Sequence, residues 1–512
     1  MVLKACRLNN LGLSSRPSYV IAAIFWVACA LLLVACTSPS SDAKPNVLFI
    51  MVDDLRGELG VYGSEHALSP NIDKLAAQGS QFTKAYVSVP VCGASRASLI
   101  TGMRALPDRF INYYTSVEID APDATTIFET FKDNGYHTVG YGKIFHNSQD
   151  TASKSWTSGS AWIPGMDQVS ERNIPHDYQL PENIALKTST GLGPATEVFD
   201  GPDDSYFDGQ LAVKAMNTLT ELSTGDAPFF LAVGFVKPHL PFNAPKKYWD
   251  LYSRDQFSLA AWDTLPEGAP IQAYHEFGEL RDYSDTPSRI AYDEKFTFDT
   301  SVKAFRQKNP KPVSDELARR LIHGYHASVS YVDAQVGLVL DHLETLGLAE
   351  NTIVVLMGDH GYSLGEHGLW CKHSTFDVAT KTPLIIKSPG MLKENVVDGL
   401  VEFIDIFPTL TQLAEIETPE QVAGISLVGA LKDPDAPTRA AVFPRYHSAE
   451  AIHTGRYTLT QWFDAGDNVA EQMLYDNEQD PDETKNLAYL PNYTDVLHEL
   501  SAKLAAHRMS RE

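Results

Sequence analysis

Two stretches far apart in the chain constrain its fold more than any others. Asn46-Val47-Leu48-Phe49-Ile50-Met51-Val52 is a continuous apolar run ending in Asp53-Asp54. Thr352-Ile353-Val354-Val355-Leu356-Met357-Gly358 repeats the pattern and ends in Asp359-His360. A strand that is apolar at every position must be covered on both faces, the condition of a parallel strand inside an α/β sheet. Ligands of such sheets gather at the carboxyl ends of strands, so the two acidic termini can meet. Three carboxylates brought together without intervening bases repel one another unless a cation sits among them. Hard oxygen ligands favour Ca²⁺, with Mg²⁺ as second choice, over zinc. Taken alone, Asp53-Asp54 also reads as a solvated turn.

Two further apolar runs end in basic groups. His137 to Gly142 leads into Lys143-Ile144-Phe145-His146, and Phe229 to Phe235 leads into Lys237-Pro238-His239-Leu240-Pro241-Phe242. Singly, His146 and His239 read as ordinary surface or core histidines. As the third and fourth polar clusters at strand ends, they point to one shared site. Helices separate the strands. One starts at Ser69-Pro70 with Leu75, Ala76 and Phe82 on its inner side, and one runs from Thr126 to Asn134, stopped by Gly135. A long amphipathic helix carries Ile322, Tyr325, Val329, Val332, Val336, Val339 and Leu343, ending at Gly347. The alternation predicts an α/β fold, a large mixed, mostly parallel sheet between helical layers, over residues 46–439. From about Ala440 the texture becomes alternating and turn-rich, which predicts a smaller antiparallel-sheet α+β subdomain over 440–512, closed by a helix from Thr494 to Arg508.

Pro90-Val91-Cys92-Gly93-Ala94-Ser95-Arg96 feeds an apolar run, a tight turn leading into a helix with Cys92 at its N-terminal end. That position lowers a thiol's pKa and sets Arg96 one turn later on the same face. Cys92 equally reads as a small buried cysteine or as half of a disulfide with Cys371. The segment from Gly361 to Asp377 is too rich in glycine and polar groups for a core element and reads as an active-site loop. In it, His367 and Trp370 suit a sugar-facing rim, since a Trp face stacks on a pyranose.

The N-terminus stands apart. Lys4, Arg7 and Arg16 precede an uncharged apolar run from Tyr19 to Ala35, closed by Leu33-Val34-Ala35-Cys36 and a Ser/Pro stretch. This resembles a bacterial lipoprotein signal peptide (1–35) followed by a tether (36–45), with Cys36 lipidated; an uncleaved anchor helix is the other reading. Either way the chain is exported and membrane-tethered, at the outer membrane, in the periplasm or on the cell surface. Of five cysteines, only Cys36, Cys92 and Cys371 would remain. The net charge of −24 disfavours nucleic acid and repels polyanions at long range, so an anionic ligand needs a locally basic pocket.

Cys92-x-Ala94-x-Arg96, continuing into Ser98-Leu99-Ile100-Thr101-Gly102, resembles the signature of the formylglycine-dependent sulfatases, members of the alkaline phosphatase superfamily. The Lys-Pro-His-Leu-Pro-Phe and Gly-Lys-Ile-Phe-His strings resemble its iduronate-2-sulfatase-like branch. Ala94 stands where the family usually has proline, so maturation depends on which enzyme the host carries. The resemblance implies that Cys92 is oxidised to 3-oxoalanine (formylglycine) by a maturation enzyme. It also implies that His360 joins Asp53, Asp54, Asp359 and residue 92 at calcium, and that Arg96, Lys143, His146, His239 and Lys372 surround the sulfate. A hydrated aldehyde attacks sulfur, His239 protonates the leaving sugar oxygen, and His146 handles the hydrate's proton. Leu474 to Ala488 resembles the family's C-terminal signature. The implied substrate is a sulfated carbohydrate, a uronate- or deoxyhexose-containing poly- or oligosaccharide such as ulvan. Phosphonate monoester or phosphodiester hydrolysis and non-catalytic glycan binding remain the alternatives. The insertions at 151–205 and 253–312 carry no motif, and loops of that size often shape pockets.

Overall fold

Successive side chains of Asn46–Val52 enter two different cores. Leu48, Ile50 and Val52 belong to one apolar cluster, while Val47, Phe49 and Met51 belong to another. This is the period-two alternation of a strand whose two faces are both covered. The structure, a computed structural model, describes residues 44–510 apart from 148, 159–176, 276–278 and 287–312. The signal peptide, the tether and Cys36 lie outside the described residues, save for Lys44 and Pro45. From Pro45 onward the chain clusters as one unit. Among the described residues, no helix is long and apolar enough to cross a membrane.

In chain order the strands are β1 (Asn46–Val52), β2 (Ser80–Tyr86), β3 (His137–Gly142), β4 (Thr196–Phe199), β5 (Phe229–Phe235), β6 (Phe242–Pro245), β7 (Thr352–Gly358), β8 (Ser363–Leu364), β9 (Trp370–Cys371), β10 (Leu384–Lys387) and β11 (Asn395–Glu402). Seven form the main sheet in the order β11-β2-β10-β7-β1-β5-β3. β10 runs antiparallel to both of its neighbours and every other pairing is parallel. The four strands with polar ends predicted from the sequence are the four contiguous parallel ones, β7-β1-β5-β3. Their carboxyl ends therefore share one edge of the sheet.

Two helical layers cover the sheet. The helices α1 (Pro70–Ala77), α4 (Phe207–Leu222) and α5 (Asp315–Thr345) supply one core; α2 (Cys92–Thr101), α3 (Ile127–Asp133) and α6 (Ile406–Leu413) supply the other. Thr126 caps α3 by accepting from Glu129 N at 3.2 Å. The start of α1 differs from expectation. Ser69 does not cap it; Asp333 on α5 accepts instead from the amides of Asn71 and Ile72. Phe82 lies on β2 rather than on this helix. A second, antiparallel sheet follows as β12 (Arg445–Tyr446), β13 (Ala449–His453), β14 (Tyr457–Phe463) and β15 (Val469–Asp476), and α7 (Thr494–Met509) closes the chain.

Candidate active site

Each arm of the site leaves the same sheet edge. Asp53 and Asp54 follow β1, Lys143 and His146 follow β3, His239 follows β5, and Asp359 and His360 follow β7. The backbone at Lys143 passes so close to Gly234 on β5 that a Cβ there would lie 2.3 Å from Lys143 C; only glycine permits that approach. Cys92 opens α2, after Val91 in extended conformation at the N-cap.

Arg96 braces the carboxylates. Its Nη2 donates to Asp53 Oδ1 at 3.0 Å and its Nε to Asp359 Oδ2 at 2.9 Å, with the side chain 1% exposed. Its Nη1 is held by the carbonyl of Lys143. The Lys143 ammonium pairs with Asp53 and lies 3.7 Å from Cys92 Sγ. Burial alone would push the Asp53 carboxyl up, but Lys143, His239 and Arg96 hold it well below the usual carboxylate range. Asp54 sits in left-handed backbone conformation at φ 59°. Its amide donates to Asp359 Oδ1 at 3.0 Å, and Lys372 Nζ donates to its two oxygens at 2.8 and 3.0 Å.

His360 donates from Nδ1 to Gly361 O at 2.9 Å, which leaves its Nε2 lone pair toward the site. That atom lies 3.2 Å from Cys92 Sγ and 3.4 and 3.6 Å from oxygens of Asp54 and Asp359. One ligand atom from each of Asp53, Cys92, Asp359 and His360 falls within 4.8 Å of the others, and Asp53, Asp54 and His239 form a second such set. These donors fit a divalent cation. Burial, reinforced by the charges of Glu279, Asp53 and Asp359, pushes the Asp54 carboxyl well above its ordinary range despite Lys372. A carboxylate in that condition is short of positive charge, which an ion would supply.

The thiol differs from expectation as well. Burial and the neighbouring Asp53 charge push Cys92 well above a free thiol, and the lysines offset this only in part. The helix terminus does not win, because its partial charge competes with full carboxylate charges in a dry site. No disulfide joins Cys92 to Cys371; both are free and buried. Burial and Lys143 push His146 down to about 3, and its Nδ1 has no hydrogen-bond partner among the described residues. Burial with Lys372 and Lys143 likewise holds His239 well below its ordinary range.

His367 and Trp370 are placed otherwise than predicted. The His367 ring stacks on Phe376 with centroids 4.0 Å apart, and its Nε2 lies 2.8 Å from Asp482 O. Trp370, on β9, is 4% exposed and packs into the first core. Ser363-Leu364 and Trp370-Cys371 pair as a short β8–β9 hairpin, and both rings are buried instead of presented. Conversely, the sequence reading missed Glu279. It pairs with Lys372 Nζ at 2.7 Å and stands 3.3 Å from His239 Nε2. No apolar run precedes it, so only its place in the 253–312 insertion hinted at a role.

A family model described as Sulfatase matches residues 45–416, and one described as N-sulphoglucosamine sulphohydrolase, C-terminal, matches 365–510. The chain belongs to the sulfatase family. This sulfatase is 34% identical to human iduronate 2-sulfatase over 458 residues, which is 85% of this chain and 78% of that one. It is 27% identical to an ulvan-active sulfatase of Formosa agariphila over 96% of this chain and 86% of that one. Two solved structures share the fold at TM-score 0.69. BT4656 in complex with its substrate D-glucosamine-2-N,6-O-disulfate is 21% identical, with 91% of this chain and 98% of that one covered. A phosphonate monoester hydrolase from Silicibacter pomeroyi is 23% identical, with 92% and 96% covered. The predicted alkaline-phosphatase-like architecture and the iduronate-2-sulfatase-like resemblance both hold. The protein is a sulfuric ester hydrolase.

Proposed function

We propose that this enzyme removes sulfate from a uronate-containing oligo- or polysaccharide, R-O-SO₃⁻ plus water giving R-OH plus sulfate, using a formylglycine made from Cys92 and a calcium ion. The observation that carries this reading is the buried convergence of Asp53, Asp54, Asp359 and His360 on Cys92, ringed by Arg96, Lys143 and Lys372. When present, the hydrated aldehyde supplies the attacking oxygen and the ion polarises a sulfate oxygen.

The remaining chemistry belongs to this chain's own side chains. Lys143 and Lys372 meet charge developing on the sulfuryl oxygens. Arg96 keeps Asp53 and Asp359 fixed, so little reorganises during reaction. A sugar alkoxide leaves poorly without a proton. His239, with Nδ1 held by Leu240 O, is the group we assign to supply it, from an Nε2 that carries a proton only in the charged ring beside Glu279 Oε1. His146, with its unpartnered Nδ1, handles the proton of the residue-92 hydrate.

The human iduronate 2-sulfatase and ulvan-active relatives support a uronate-bearing substrate, and the match to the latter favours an algal polysaccharide. We further propose lipidation at Cys36 and tethering outside the cytoplasm, with maturation by an enzyme that accepts Ala94. Protein from a host with such an enzyme should yield a Cys92 peptide carrying the aldehyde mass. It should also release sulfate from uronate-2-sulfated oligosaccharides in a defined panel. An unmodified thiol in fully active protein would overturn the formylglycine assignment. Faster turnover of an aryl phosphonate or phosphodiester than of every sulfated sugar would overturn the substrate. Radiolabelled palmitate that fails to enter the protein, or enters a Cys36→Ala variant equally, would overturn the anchor.

A further inference from the structure

Glu279 sits where a carboxylate works against anion binding. Its Oε2 lies 2.7 Å from Lys372 Nζ, the cation that also pairs with Asp54, and its Oε1 lies 3.3 Å from His239 Nε2. Its side chain is 16% exposed, so little water screens its charge. The other three carboxylates of the cluster, Asp53, Asp54 and Asp359, have their backing in Arg96, Lys143, Lys372 and the ligand set. Glu279 lies outside that set and adds a fourth negative charge against three cations.

We propose that Glu279 is a specificity-determining residue that tunes the pocket to a singly charged sulfate ester and against doubly charged phosphate monoesters. The inference rests on the sulfatase reading above. A sulfate ester carries one negative charge, whereas a phosphate monoester of the same shape carries two above its second ionisation near pH 6. A fixed negative charge repels each ligand in proportion to that ligand's charge, so the dianion is penalised about twice as much. Shape and hydrogen-bonding groups are nearly identical in the two esters, so charge is what remains to tell them apart. A carboxylate placed on the anion-binding lysine does this without closing the site to sulfate. Its second contact, with His239, puts the same charge beside the leaving-group oxygen.

The test uses the non-turning-over Cys92→Ala protein, loaded with calcium, and its Cys92→Ala/Glu279→Gln derivative. Phenyl sulfate and phenyl phosphate are titrated against each by calorimetry at about pH 8, where the phosphate is a dianion. Glu279→Gln should tighten phenyl phosphate about tenfold more than it tightens phenyl sulfate, and Glu279→Asp should restore most of the original preference. In the active enzyme the same change should raise phosphomonoesterase activity relative to sulfatase activity. Equal shifts for the two ligands, or none, would overturn the assignment and leave Glu279 as a prop for Lys372. A Cys92→Ala parent that binds no phenyl sulfate would overturn the sulfatase reading together with it. Circular dichroism and Tm of each variant separate either result from misfolding.

Discussion

Of the clusters of buried charge in the described residues, two are built to opposite ends. Near the end of β11, Arg104 donates two parallel bonds to Glu402 at 2.9 and 2.7 Å. Arg439 donates to Asp405 through Nε at 2.7 Å and through Nη2. The amides of Phe443 and Ile425 take up oxygens of Glu402 and Asp405, so two arginines and two carboxylates satisfy one another. At the carboxyl edge of the sheet, four carboxylates face three cations. A balanced cluster is finished when the chain folds. An unbalanced one is finished only by what binds to it, and that excess is why we propose this end as the site of reaction.

The difference can be broken most sharply at residue 92. Cys92→Ala should cut sulfate release by at least about 10⁴-fold while leaving Tm within a few degrees, because the thiol supports no ion pair that folding needs. Near wild-type turnover would show that the unbalanced cluster is not the reaction centre. Lys372→Ala should cost about 10²–10³-fold in kcat by removing one preorganised cation, and an unchanged kcat would place sulfate elsewhere. Arg439→Ala should do the reverse. Leaving Asp405 buried without its partner should destabilise folding by about 3 kcal/mol, read by denaturant titration, with kcat of the surviving native enzyme unchanged. A chelator should lower activity of wild type and its stability together, the stability by about 2–3 kcal/mol if the ion stands near a hundredfold above its Kd. The increment in stability lost to Arg439→Ala should be the same with and without the chelator; a dependence would mean that the two clusters are coupled. The smallest effect belongs to His367→Ala, about 1 kcal/mol of stability from the lost ring stacking and burial, with KM for oligosaccharide unmoved. A raised KM would restore this histidine to the substrate rim.

The same contrast explains what was legible in advance. Asp53, Asp54, Asp359, Lys143 and His239 announce themselves because each ends an apolar run, and an apolar run is a strand whatever surrounds it. Their meeting follows from four such strands lying side by side. Glu279 has no such signature, since it reaches the site from an irregular insertion. His367 and Trp370 have the right chemistry for a sugar, yet whether a ring faces solvent depends on what lies above it, here Phe376 and the Asp482 carbonyl. The Cys92 pKa misled for a related reason: a helix terminus is visible in the sequence, while the burial that raises the thiol, and the Asp53 and Asp359 charges that add to it, exist only once β1 and β7 have assembled.

By itself the sequence determined the strands, the long helix, the ligand-bearing ends and the signature around Cys92, because each is a local pattern of apolar spacing or a short run of adjacent residues. Only the tertiary structure decided strand order, the bracing role of Arg96, the capping of α1 by Asp333 and the presence of Glu279 on Lys372. Those depend on contacts between segments that share no local pattern, and on burial, which sets the strength of every charge in the site.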